Sequence, residues 1–261
     1  MELPLYQIDA FTSRLFAGNP AGVCPLPRWL PDWTLQAIAA ENNVAETAFF
    51  IPEGEGYRLR WFTPTVEVDL CGHATLASAY VISEFLDPGR REMWFETHSG
   101  RLTVTRREDH FVLDFPARPP APVVAPAVGK AMGQVPAALL ASVPYLAVYE
   151  RAEEVAALEP DMAAAVALDR DGVIATAPGT GGLDYVARYF APGAGIPEDP
   201  ATGSAQCVLA PYWAARLGRD KLTGRQISRR GGDFRCEIAG DRVRIGGQAV
   251  CYLKGSIFVE G

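Results

Sequence analysis

The sequence predicts an α+β protein of two similarly built lobes, in each of which strands curl around one apolar helix. Three observations predict it. The chain repeats a segment order: Arg60-Trp61-Phe62-Thr63-Pro64 leads to Cys71-Gly72-His73, and Arg188-Tyr189-Phe190-Ala191-Pro192 leads to Thr202-Gly203-Ser204, with three extra residues in the second loop. Each copy opens a helix, from about Ala74 to Phe85 and from Ala205 to Leu217, that is apolar nearly all round and therefore has to be enclosed. The flanking stretches read as short strands, alternating or continuously apolar.

In chain order, Leu5 to Phe11 reads as the first strand, followed by a turn at Phe16 to Gly22 and a second strand through Val23 and Leu26. Asp32 is placed to cap a helix whose Leu35, Ile38 and Ala39 share one face and which ends at Asn42-Asn43. Val44 to Ile51 is an apolar strand interrupted by Glu46, and Tyr57 to Phe62 gives the next strand. Three more follow the first apolar helix, near Glu92–Thr97, Arg101–Arg107 and His110–Phe115. Five prolines between Pro116 and Pro126 make a stiff connector. The lobe boundary is placed there, giving lobes 1–117 and 118–261. The second lobe runs through helical pieces at Val128–Met132 and Pro136–Ala141, a strand at Val143–Tyr149 and Ala-rich helical segments between Ala152 and Leu168. Strands at Gly172–Ala177 and Asp184–Phe190 then lead to the second apolar helix and further strands.

Composition narrows the function classes. Hydrophobic residues at 49% and charged residues at 21% are those of an ordinary globular protein, and the formal charge of -7 argues against a nucleic-acid or anionic-membrane surface. Small-molecule chemistry becomes the expectation. The N-terminal residues lack the basic region and long apolar core of a signal peptide, and no run approaches membrane-spanning length, so a cytoplasmic protein is expected. Five cysteines (Cys24, Cys71, Cys207, Cys236, Cys251) and three histidines (His73, His98, His110) show no metal-ligand spacing. Neither a metal nor an organic cofactor is expected. His98 and His110 read as turn residues.

The chemistry-bearing residues gather at the two helix entrances. The first N–H groups of any helix lack internal partners and carry the positive end of the helix dipole, so each entrance suits a carboxylate or phosphate. The second entrance, Ile196 to Ala205, is kept out of helix by two prolines, and Thr202-Gly203-Ser204 supplies capping hydroxyls and a close backbone approach. Asp199 beside it suits a proton carrier or an acceptor for a substrate amine or hydroxyl. The first entrance offers Asp69, Cys71, Gly72 and His73. Two such helices pointing at one cleft would hold an anionic substrate. Glu46 in its apolar strand is costly to bury without a partner or a use, and the alternatives are a solvent-facing rim position and a working acid. Asn19 and Asp69 remain open between turn or capping duty and ligand contact.

Jointly, Phe16-Ala17-Gly18-Asn19-Pro20-Ala21, Asn42-Asn43-Val44-Ala45-Glu46-Thr47-Ala48-Phe49, Arg60-Trp61-Phe62-Thr63-Pro64, Cys71-Gly72-His73-Ala74-Thr75 and Glu198-Asp199-Pro200-Ala201-Thr202-Gly203-Ser204-Ala205 resemble the phenazine-biosynthesis PhzF-like isomerase family, in order and over essentially the whole chain. The resemblance implies the diaminopimelate-epimerase-like fold, two pseudo-symmetric lobes each forming a β-barrel around a central helix, with the final strand near Ser256–Glu260 crossing back to the first lobe. It implies a cofactor-free and metal-free isomerase acting on a small carboxylated substrate, working as a homodimer. By motif, Glu46 matches the catalytic acid/base, His73 and Asp199 assist proton transfer, and Gly72, Gly203 and Ser204 bind substrate, with Asn19 a further candidate. Epimerases and racemases of this fold carry a cysteine at each entrance. Here the first is Cys71 and its repeat mate is Thr202, whose hydroxyl is too weak an acid to act as a free general base near neutral pH. Cys71 is accordingly read as a packing residue. The alternatives are a Cys71-dependent amino-acid epimerase and a catalytically idle binding protein, since a fold guarantees no activity.

Overall fold

A computed structural model of the chain describes residues 1–260. Two compact units divide it: Met1–Asp114 together with the segment from Gly246 onward, and Phe115–Ile245. The first contains β1 (Glu2–Ala10), β2 (Asn19–Pro25), α1 (Asp32–Asn42), β3 (Glu46–Glu53), β4 (Gly56–Phe62), β5 (Glu67–Val68), α2 (Gly72–Val81), β6 (Glu92–Thr97), β7 (Gly100–Arg106) and most of β8 (Phe111–Pro116). The second contains β9 (Ala121–Pro122), α3 (Pro126–Ala131), β10 (Ala138–Ala141), β11 (Tyr145–Val148), α4 (Ala152–Ala156), α5 (Met162–Val166), β12 (Val173–Pro178), β13 (Tyr185–Ala191), β14 (Ile196–Asp199), α6 (Gly203–Leu217), β15 (Lys221–Gln226), β16 (Gly232–Ala239) and most of β17 (Arg242–Gly247). Finally β18 (Ala249–Phe258) pairs antiparallel with β1 from Ala10↔Ala249 to Glu2↔Phe258. The returning segment is thus longer than the strand expected near 256–260.

The helix α2 is the core of its unit. Every residue of it except Tyr80 is buried, and it packs against β1, β2, β3, β7 and β18. Leu76, Ala77, Ala79, Val81 and the following Ile82 are fully enclosed, each larger side chain contributing about 1.5–3 kcal/mol by burial. Its buried hydroxyls bond back along the helix, Thr75 Oγ1 to Cys71 O at 2.6 Å and Ser78 Oγ to Ala74 O at 2.8 Å, so enclosure leaves neither unsatisfied. A π-helical turn, Ile82–Leu86, extends it. In the second unit α6 packs against β15 and β16, with Val208, Leu209, Ala210 and Trp213 buried.

The duplication is visible in the strands. On one side β4 pairs with β3, and on the other with β5 near Trp61-Phe62 and β6 near Tyr57-Arg58. Likewise β13 pairs with β12, and on the other side with β14 and β15. Arg60 makes a two-pronged pair with Glu67 (2.7 and 2.6 Å) and lies over Phe62; Arg188 does the same with Glu198 (2.7 and 2.9 Å) over Phe190. Such fork-to-fork pairing uses the planar guanidinium, whose two parallel bonds a Lys ammonium does not reproduce.

Several expectations are corrected. Asp32 is the first residue of α1 and not its cap; Pro31 precedes the helix, and the Asp32 carboxylate accepts from Arg60 at 2.8 Å. Thr202 flanks α6 but makes no capping bond. Residues 136–141 do not form a helix: Ala138–Ala141 is β10, held between β9 and β11, because a short Ala/Leu run suits either state and sheet pairing decides. Asn19 to Gly22 belong to β2 and not to a turn; the reversal is at Gly18 (φ +63°), where a Cβ would lie 2.1 Å from Ala10 O. Glu46 begins its strand and does not interrupt it.

Candidate active site

In the first unit, two elements bring the acid and the imidazole together. Glu46 opens β3, whose parallel pairing with β2 sets it opposite Ala21. Asn19, two residues before Ala21, shares that face of the sheet and is fully buried. Cys71, with extended backbone, precedes α2, and His73 is the second residue of the helix. His73 Nε2 lies 3.1 Å from Glu46 Oε2, with side chains 6% and 12% exposed. The approach is that of an ion pair, yet its alignment falls short of a hydrogen bond, which leaves both atoms without one. Glu46 is therefore not a rim residue.

The other edge of the ring faces sulfur. His73 Nδ1 is 3.5 Å from Cys71 Sγ. Burial alone lowers the imidazole pKa, but Cys71 and Glu46 outweigh it, and His73 is held well above its ordinary 6.5. Its two ring nitrogens thus lie near two different groups, Nδ1 near Cys71 Sγ and Nε2 near the Glu46 carboxylate. Burial first, and then Glu46, push the Cys71 thiol up. Cys71 thus does more than pack: it fixes one edge of His73. Sequence spacing missed this contact because the residues meet through the helix-entrance backbone.

The donors of Glu46, Cys71 and His73 lie within 4.8 Å of one another, the spread of a three-ligand metal set. The arrangement fits a metal poorly. A metal ion takes one nitrogen of an imidazole, whereas here Cys71 and Glu46 approach opposite edges of the ring. The order Cys71–His73–Glu46 suits proton handling.

Asp69 takes no part. Trp61 pairs with Val68 and Tyr189 with Asp199, so the residue matching Asp199 is Val68, and Asp69 is one position further on. A one-residue step turns a strand side chain to the other face. Asp69 is 85% exposed, near the exposed His98.

In the second unit Asp199 ends β14 and is buried, and α6 begins at Gly203. The Thr202 hydroxyl donates to Asp199 Oδ2. Gly203 is buried and Ser204 exposed at the helix entrance, as Gly72 and His73 are both buried at the other. Sequence reasoning missed Gln226, which is buried against this turn and donates to Asp199 O at 2.5 Å. No motif surrounds it, and only the placement of β15 brings it there. Register also shows why the two units differ. Thr47↔Phe62 matches Val173↔Phe190, so the counterpart of Glu46 is Gly172, where a Cβ would lie 2.4 Å from Phe190 O. The second unit has no room for a matching acid.

Comparison with known proteins places the whole chain. The family model described as "Phenazine biosynthesis-like protein" matches residues 8–255. The chain belongs to the PhzF-like isomerase family. A Pseudomonas aeruginosa relative named as an uncharacterized isomerase is 48% identical, over 98% of this chain and 99% of its own. The mouse phenazine biosynthesis-like domain-containing protein 1 is 38% identical, again over 98% and 99%. Among solved structures, a PhzF-family protein from Enterococcus faecalis superposes with a TM-score of 0.97 at 43% identity, covering 99% of this chain and 100% of that one. A hydroxyproline epimerase from Agrobacterium vitis, at TM-score 0.61 and 13% identity over 98% and 92%, shares the fold alone. This PhzF-like chain thus has the epimerase-like fold, with Thr202 where its own duplication would set a second thiol. Among the described residues no helix is long and apolar enough to cross a membrane.

Proposed function

We propose that this PhzF-like protein is a cofactor-independent isomerase that shifts a proton on a small carboxylated substrate, with Glu46 taking and returning the proton. The observation that supports it is the Glu46 carboxylate set against a buried His73 imidazolium at the entrance of an apolar helix. Glu46 removes a proton from substrate carbon, leaving the electron pair delocalised in the substrate, and returns it at another carbon, so that atoms and charge balance over the cycle. His73, 3.1 Å from the carboxylate and fixed at its other edge by Cys71, positions Glu46 between turnovers. The helix-entrance N–H groups at Gly72 take the substrate's carboxylate or developing charge. Asp199, Gly203 and Ser204 are assigned to substrate binding, as the family resemblance implies, with Asp199 accepting from an amine or hydroxyl. The protein is expected to act as a cytoplasmic homodimer.

A two-thiol racemase is the weaker reading, because the Thr202 hydroxyl already donates to Asp199 and is no base. The test is incubation with small cyclic and amino-acid carboxylates in D₂O, following deuterium entry by mass spectrometry and ligand binding by thermal shift. Exchange in the wild type, unchanged after dialysis against a chelator and lost in Glu46→Gln, is the expected result. Binding without exchange in any substrate of the panel would favour an idle binding protein, and exchange that needs a metal would end the cofactor-free reading.

A further inference from the structure

We propose that Gln226 is a positioning residue that, through Thr202, fixes the Asp199 carboxylate in its acceptor orientation. Its functional consequence rests on the reading of Asp199 as a substrate-binding acid. Gln226 is the last residue of β15, which pairs in parallel with β13 (Ala187↔Gln226), and it is 1% exposed. Its amide spans the turn between β14 and α6. Oε1 accepts from the Thr202 N–H at 2.9 Å, and Nε2 donates to Asp199 O at 2.5 Å. The two backbone partners, one donor and one acceptor, allow only this orientation of the amide.

That orientation has a chemical consequence. Nε2 also donates to Thr202 Oγ1 at 3.3 Å, and an amide NH₂ cannot accept. The hydroxyl therefore has its own hydrogen left to give, and it gives it to Asp199 Oδ2. The run Gln226→Thr202→Asp199 is a one-way chain of donors ending on a carboxylate. Its effect is to favour the ionised acid and to hold one oxygen, leaving the other oxygen's direction set. A second brace supports the same turn: Ser228 Oγ donates to Pro200 O at 2.7 Å and accepts from Gly231 N at 3.0 Å. The first unit has no counterpart. Register matches Tyr57↔Phe95 to Tyr185↔Gly224, so Thr97 stands where Gln226 does, and its hydroxyl donates to Gly100 O at 2.7 Å.

The test uses the full ligand-free chain, so it is independent of any substrate. The Asp199 carboxyl is titrated by ¹³C NMR in the wild type, Gln226→Met, Thr202→Val and the double variant. Gln226→Met keeps the length and removes both polar ends; Thr202→Val keeps the shape and removes the hydroxyl. Each single change should shift the Asp199 midpoint to higher pH, and the double change should shift it no further than Thr202→Val alone, since one chain carries the effect. An unmoved midpoint in Gln226→Met, even with a lower melting temperature, would reduce Gln226 to a structural part and overturn the proposal. Full additivity in the double variant would overturn the route through Thr202. If Gln226→Met does not fold, Thr202→Val alone decides: no shift there sinks the idea. A failed deuterium-exchange screen with the expected NMR shifts would refute the isomerase reading and leave the donor chain standing.

Discussion

Glu46→Gln separates chemistry from binding. The substitution keeps the side chain's shape at the start of β3 and removes the only carboxylate within 3.1 Å of His73 Nε2 among the described ion pairs. A general acid/base is worth about 10²–10⁴-fold in turnover, or about 3–5 kcal/mol of transition-state stabilisation at 1.36 kcal/mol per tenfold. Stability should suffer less. Breaking a buried ion pair costs about 3–5 kcal/mol when the remaining charge is trapped, but His73 escapes by releasing its proton. Two measurements follow. Deuterium exchange into a carboxylate that the wild type turns over should fall by that factor, while thermal stabilisation by the same compound persists. The His73 imidazole, followed by NMR, should titrate at lower pH than in the wild type, because one of the groups that raises it is gone. Full exchange activity in the variant, or an unmoved His73 midpoint, would refute the reasoning.

Three further outcomes are expected. The folded-state pKa of His73 lies above its unfolded value near 6.5, so its pair contributes stability fully below that pH and loses it as pH rises through the folded value; Cys71, also pushed up, adds a loss in the same direction above about 9. Melting temperature should therefore decline on the alkaline side, and His73→Gln should remove the first part of that decline; a slope of opposite sign would contradict the assignment. Cys71→Ser should cost no more than about tenfold in exchange rate, the worth of one ordinary hydrogen bond of about 1 kcal/mol, and a larger loss than Glu46→Gln would transfer the chemistry to the thiol. Gly224→Ala should destabilise the protein by about 1–3 kcal/mol in denaturant unfolding, because its Cβ would lie 2.2 Å from the Tyr185 ring, which is stacked on Trp213.

Fold class and family are legible in the sequence, which also singles out Glu46, His73 and Asp199 as candidates. Apolar periodicity and the repeated Arg–aromatic–Phe run are local signals, and enclosure of a helix apolar on all sides follows from them without coordinates. Even the asymmetry of the repeat, Cys71 against Thr202, is legible in one dimension. Tertiary structure alone decided which neighbours these residues have. Strand register made Asp69 a solvent-facing residue and Asp199 a buried one, although both precede similar turns, because a single step reverses the face. Pairing between distant strands brought Gln226 to Thr202, across 24 residues of sequence, with no motif to announce it. The same holds for Asp32, which lies one residue inside its helix and meets the Arg60 guanidinium on β4, and for Ala138–Ala141, whose neutral propensity left the choice to β9 and β11. Local chemistry sets what each segment is able to be; long-range hydrogen bonds and charge pairs, which depend on placement in three dimensions, set what each side chain does.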